Sequence, residues 1–142
     1  MKKVYNFFLL SVLFGTLSYK FMSDTATLYR QSLLSHLSGF KIDSVYLIKC
    51  SDIELPAKIG SIALIELNDV KGILKSKESV YAIKLLPIAL NKDRIEITII
   101  DFIITLKKDE IIMSNAGSEV FVYIYDNQVS RYKLLRRFKN TI

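Results

Sequence analysis

Thirteen residues run from Arg94 to Leu106 with no glycine, no proline and no turn signal, and Ile and Thr dominate them. Branched side chains stiffen a helix and pack well on a pleat, so this run commits its part of the chain to one long strand. Polar clusters close it on both sides, Asn91-Lys92-Asp93 before and Lys107-Lys108-Asp109-Glu110 after. Such clusters read as turns. Further strand-like stretches follow the same rhythm: Val80–Leu85, Ile88–Leu90 after Pro87, Ile111–Ser114, Glu119–Tyr125 and Val129–Phe138. The links between the last of these are Asn115-Ala116-Gly117-Ser118 and Asp126-Asn127-Gln128. Strands joined by turns this short are expected to be antiparallel, because parallel neighbours need long crossovers.

The first half is more mixed. Ser23 and Asp24 are good helix caps. Ala26, Tyr29, Leu33, Leu34, Leu37 and Phe40 recur at spacings of three and four, and Gly39 is a natural stop. This predicts an amphipathic helix over 24–37 with that stripe against a sheet. Strands are expected over Ile42–Cys50 and Ser61–Leu67, with a loop marked by Pro56 and Gly60, then a short helical turn from Asn68-Asp69 to Leu74. The fold class is α+β: an N-terminal amphipathic helix packed on a curled antiparallel meander of about five to seven strands. The shape is cystatin-like or nuclear-transport-factor-like, which says nothing of activity.

At the front, Met1-Lys2-Lys3 precedes an uncharged apolar run, Phe7 to Leu17, that Lys20 ends. A basic start and a core of about 11 apolar residues have the size of a secretory signal, whereas a spanning helix needs about 20. Residues 1–18 are therefore expected to be a signal peptide, with a retained membrane anchor as the alternative, and 19–142 a single α+β domain. The chain is expected to be exported, periplasmic or secreted. Cys50 is the one cysteine, which excludes an internal disulfide and a cysteine-rich zinc site. His36 is the one histidine. It is read as a surface or capping residue with no role, and neither a metal nor a cofactor is expected.

Charge is unevenly spread. The net charge is +6, yet from Tyr19 to Asp126 there are 13 Lys/Arg against 14 Asp/Glu. Lys2 and Lys3 lie in the expected leader, and the rest sits after Asp126, where Arg131, Lys133, Arg136, Arg137 and Lys139 meet no acid. Strict alternation would put Arg131, Lys133, Leu135 and Arg137 on one face of the last strand and Tyr132, Leu134, Arg136 and Phe138 on the other. A soluble edge strand has this look, and so does a contact for a protein partner or an anionic envelope surface. Nucleic acid is not expected, since a module for it would spread basic residues over a wider surface.

Three other features carry possible chemistry. Asp101 shares parity with Ile95, Ile97, Ile99 and Ile103, so it lies on an otherwise apolar face. A buried carboxylate there must be bonded, whether to a Tyr hydroxyl or a turn, or else it is turned out by a bulge, or serves as an acid or base with a raised pKa beside a pocket. Asn115 and Ser118 belong to a turn whose N–H groups could face an anion, although it lacks the pattern of a phosphate loop. Phe121, Tyr123 and Tyr125 share one parity and form an aromatic stripe, read first as core.

The residues from Tyr81-Ala82-Ile83 through Pro87-Ile88, Ile97-Thr98-Ile99-Ile100-Asp101-Phe102 and Met113-Ser114-Asn115-Ala116-Gly117-Ser118 to Tyr123-Ile124-Tyr125-Asp126 resemble a group of small exported proteins common in Bacteroidota. The pattern is built mostly of strand and turn residues and covers about the last 60 residues. Ala116 stands where that pattern has a second glycine, and the chain ends Thr141-Ile142 rather than Gly-Ile. The resemblance implies an envelope location and a shared scaffold that includes Asp101 and residues 115–118. It implies no activity and no ligand. No catalytic set stands out, and the leading expectation is a non-enzymatic exported binding or structural module. Its rivals are a ligand-binding or hydrolytic domain with a pocket between helix and sheet, and a membrane-anchored envelope subunit.

Overall fold

The structure is a computed structural model that describes residues 25–48 and 55–141. The expected leader, the helix start at Asp24 and Cys50 lie outside the described residues. A helix, α1, covers residues 25–37. It is followed by β1 (Ser44–Ile48), β2 (Lys58–Ile59), β3 (Ile62–Glu66), α2 (Val70–Leu74), β4 (Ser79–Leu85), β5 (Ala89–Asn91), β6 (Arg94–Lys107), β7 (Glu110–Asp126) and β8 (Arg131–Thr141). The strands form one eight-stranded sheet in the order β2-β3-β1-β4-β6-β7-β8, with β5 beside β6.

The antiparallel meander holds for β4, β6, β7 and β8 but not for the whole sheet. β1 lies parallel to both β3 and β4. The connections explain this. Thirteen residues, 49–61, separate β1 from β3, and twelve, 67–78, separate β3 from β4. These are crossover lengths, not hairpin lengths. The second crossover contains α2, whose cap Asp69 accepts a 2.9 Å hydrogen bond from the Gly72 N–H. The stretch expected at Ile88–Leu90 appears as β5, whereas β2, two residues long, is shorter than a sequence pattern can register, and the strands expected at Ile111–Ser114 and Glu119–Tyr125 are one strand, β7.

The long strand is present at 14 residues, with every odd position from Ile95 to Asp101 buried. Its odd side faces α1. Leu28, Tyr29, Leu33 and Leu37 meet Ile83, Leu85, Ile95, Ile97, Ile99, Phe121 and Tyr123 there, so the aromatic stripe is core as far as Tyr123. Opposite, Leu74 of α2 packs on Val80, Ala82 and Ile104. We call the α1 side inner and the other outer. α2 covers only the outer end near β4; on the outer face of β7 Val122 is buried, while β8 is exposed along nearly its whole length.

Two expectations about the last strands are corrected. Residues 115–118 are not a turn: β7 runs unbroken for 17 residues. Asp101 pairs with Gly117 and Phe102 with Asn115, so Ala116 is the extra residue of a β-bulge. The Gly and Asn that suggested a hairpin serve this bulge, with Gly117 at φ 148 and its N–H donating to Asn115 Oδ1 at 2.8 Å. A second bulge falls at Leu135, because Val122 pairs with Arg136 but Tyr123 with Leu134. It breaks the alternation. Arg137 moves to the inner face opposite Phe121, and Arg136 joins Arg131 and Lys133 on the outer face.

Candidate functional site

Three titratable side chains meet under α1. The buried stripe of α1 includes Ser32 and His36, while Leu34 is 41% exposed and Ala26 is exposed. The helix is thus turned from the expected stripe, which had Ala26 and Leu34 inward, toward the two polar groups of the inner face. Asp101 on β6 and Glu119 on β7 are those groups, and both are buried. The expected surface role for His36 is overturned: it is 3% exposed and central.

The geometry fixes the protonation. His36 Nδ1 lies 2.7 Å from Glu119 Oε2 and His36 Nε2 lies 2.8 Å from Asp101 Oδ1. An ionised carboxylate only accepts hydrogen bonds, so a ring between two of them carries a proton on each nitrogen. Tyr81 OH also donates to Asp101 Oδ1, at 2.6 Å. Arg137 Nε donates to Glu119 Oε1, and its Nη1 donates to Ser35 Oγ at 3.1 Å. The sum is two cations against two anions, and among the described residues no buried side-chain polar atom lacks a partner.

The pKa shifts agree. Burial pushes His36 down, but the hydrogen bonds and charges of Asp101 and Glu119 outweigh it and leave the imidazole above its ordinary value. Burial pushes Asp101 up, yet His36, Tyr81 and the charge of Lys139 bring it below the ordinary carboxylate value. Glu119 follows the same logic, pushed up by burial and brought below its ordinary value by Arg137 and His36. Tyr81 is raised by burial and by the Asp101 carboxylate, so it stays protonated. Asp101 is therefore inward and bonded to a tyrosine hydroxyl, one of its expected settings, and its pKa is lowered rather than raised.

Neighbouring contacts extend the seam. Ser32 Oγ and Tyr123 OH share a 2.8 Å hydrogen bond, and Tyr29 OH donates to the Leu86 carbonyl at 3.0 Å. The Arg137 guanidinium lies over the Phe121 ring at 5.4 Å. Gly117 lets β7 pass close to β8, because a Cβ there would stand 2.8 Å from the Asn140 carbonyl oxygen and 3.7 Å from Asp101 Oδ2. Gly117→Ala is expected to cost about 1–3 kcal/mol from overpacking at a backbone conformation that suits glycine. Urea unfolding measures the loss, and faster amide exchange at 139–141 would place it.

The other expected site residues are dispersed. Asn115 and Ser118 make no anion-binding turn, since both lie in the continuous strand: Asn115 is exposed and closes the bulge, and Ser118 pairs with Ile100 and Asn140. Arg131, Lys133 and Arg136 lie on the exposed outer face of β8, with Lys133 Nζ 2.5 Å from Asp126 Oδ2 and Arg136 over Phe138 at 4.6 Å. Arg137 does not join them. A cleft of ≈ 440 Å³ opens between Leu90, Arg94, Tyr125 and Tyr132, at the end of β6 remote in register from Asp101.

The chain matches no family model, no curated protein and no solved structure. Geometry alone therefore carries the functional argument. The buried cluster has no nucleophile poised by a base, and His36 has no free ring nitrogen with which to accept a proton. Its chemistry is that of a structural lock. The signal for it was present in the sequence as three titratable residues, His36, Asp101 and Glu119, each at an apolar position of its element.

Proposed function

We propose that this chain is a non-enzymatic exported module of the cell envelope that docks on an anionic surface through the outer face of β8. One observation carries the reading: the bulge at Leu135 collects Arg131, Lys133 and Arg136 on one uncovered face beside Phe138. Arg94 lies in the same row as Ile124 and Lys133. Four cations on that face stand against two acids, Glu96 and Asp126. Phe138 on that face and Leu135 at the bulge are 42% and 48% exposed, so the strand offers apolar contact beside the charge. Cations around exposed apolar side chains suit a headgroup layer better than bulk water.

The wrapped-helix shape, cystatin-like or nuclear-transport-factor-like, enters this reading as geometry only. A hydrolytic role for Asp101 is disfavoured by its lowered pKa and its two donors. A membrane-anchored subunit with the same docking face is compatible with the reading. No described helix is long and apolar enough to cross a membrane, which leaves residues 1–18 open.

Flotation with vesicles tests the proposal. The protein is expected to float with vesicles rich in anionic lipid and not with zwitterionic ones. Each basic residue near such a surface contributes about 1 kcal/mol, so Arg131→Glu/Lys133→Glu/Arg136→Glu should weaken binding by about 100-fold. Binding that ignores both the lipid charge and these substitutions would remove the reading.

A further inference from the structure

The edges of the sheet are guarded unequally. β8 lines one edge with Arg131, Lys133, Arg136, Arg137 and Lys139, the kind of charge that blocks strand addition. β2 and β5 are two and three residues long. β7 is different. β8 pairs with it only from Gly117 to Asp126, with Thr141 opposite Gly117. Residues 110–116 thus keep β6 on one side and, among the described residues, no strand on the other. From Ile111 to Ala116 this free edge contains no charge and no proline. Ile111, Ile112 and Met113 are 39–47% exposed there, and Ile103 beside them is 37% exposed. An unguarded apolar edge invites another strand.

The hairpin shows which backbone groups are free. Lys108 and Asp109 have φ 50 and 65, the signature of a two-residue turn, and Lys107 faces Glu110. In such a hairpin the flanking pair exchanges its hydrogen bonds, so Glu110, Ile112 and Ser114 point their backbone groups at β6. Ile111, Met113 and Asn115 point theirs outward.

We propose that this edge pairs with the same edge of a second copy, antiparallel, about a two-fold axis through Met113. In that register Met113 faces Met113 of the other copy and Ile111 faces its Asn115, so every outward backbone group meets an outward group and about six hydrogen bonds form. The slot is its own complement in length, since it starts at Glu110 and β8 closes it at Gly117. Glu110 comes opposite Ala116, and no like charges face each other. The axis stands normal to the sheet, so the sheet continues through both copies and both outer faces look the same way. The inference does not rest on the docking role of β8.

Cross-linking in the full chain tests it. In a Cys50→Ser background, Met113→Cys should form a disulfide-linked dimer on mild oxidation, because facing residues of a hydrogen-bonded pair lie about 5.5 Å apart at Cα, within disulfide reach. Ile111→Cys should not, since its counterpart lies four residues away along the other strand. Met113→Lys, which places a cation opposite its own copy on a solvent-facing side chain, should raise the dimer dissociation constant at least ~10-fold in sedimentation equilibrium. A chain that sediments as a monomer at about 100 µM overturns the proposal. So does a dimer that survives Met113→Lys while Met113→Cys fails to cross-link, because it must use another surface.

Discussion

His36→Ala is expected to lower the unfolding free energy by about 3–5 kcal/mol, the loss found when one member of a buried charge network is removed. Alanine leaves the Asp101 and Glu119 carboxylates facing a space where the imidazolium was. Asp101 keeps Tyr81 and Glu119 keeps Arg137, so neither is stranded altogether, but the charge between them is gone. Arg137→Ala should cost less, because Glu119 retains His36 and Arg137 is partly exposed. The decisive contrast is the triple variant His36→Leu/Asp101→Leu/Glu119→Leu. Replacing buried charges by apolar groups is often neutral or stabilising, and the partly exposed Arg137 can turn to solvent, so this variant should be more stable than His36→Ala alone even though Tyr81 loses its acceptor. Urea midpoints at constant slope measure all of these. A His36→Ala variant as stable as the parent would show that the cluster does not hold α1.

The same cluster predicts a stability that is lost on both sides of a narrow pH window. His36 is raised, so its contribution is complete below the unfolded value of about 6.5 and disappears as pH rises through the higher folded value. Asp101 and Glu119 are lowered, so theirs is complete above about 4.3 and disappears as pH falls through their lower folded values. The imidazole bonds Asp101 on β6 and Glu119 on β7, which in turn bond Tyr81 on β4 and Arg137 on β8, and the charge of Lys139 on β8 acts on Asp101. Of these only the carboxylates titrate on the acid side, and His36 alone defines the neutral-to-alkaline limb. Maximum stability is expected at about pH 5–6.5, with a slope approaching about 1.4 kcal/mol per pH unit while the one proton of His36 is being lost. In His36→Ala that limb should flatten. A parent profile that rises from pH 6.5 to 8.5 would contradict the doubly bonded imidazolium.

Much of this architecture could be read from residue pattern. The run from Arg94 fixed the long central strand, and Asn68-Asp69 marked α2, because burial periodicity and caps are local properties. Bulges are not. A single extra residue at Ala116 or Leu135 changes parity without changing composition, and two errors followed from that: a turn placed inside β7, and Arg137 assigned to the wrong face. The parallel pairings of β1 were missed because a loop of crossover length looks like any other loop. Asp101 stood out since its neighbours at the same parity are isoleucines. His36 and Glu119 carried the same mark, but their partnership depends on which helix face meets which strands, and that is decided by tertiary packing.

The ties that seat α1 have a bearing on how the chain is made. Tyr29 bonds Leu86, Ser32 bonds Tyr123, His36 bonds Asp101 and Glu119, and Ser35 bonds Arg137, separations of 57 to 102 residues. The hairpins of β6, β7 and β8 close through turns of a few residues and can form as soon as they emerge, whereas contacts this distant in sequence form late. α1 precedes every strand in synthesis, yet its polar seat is complete only when Arg137 arrives. Until then Leu28, Leu33 and Leu37 have no finished surface to cover, and the nascent chain carries an unsatisfied amphipathic helix ahead of its sheet, open to whatever handles unfolded chains.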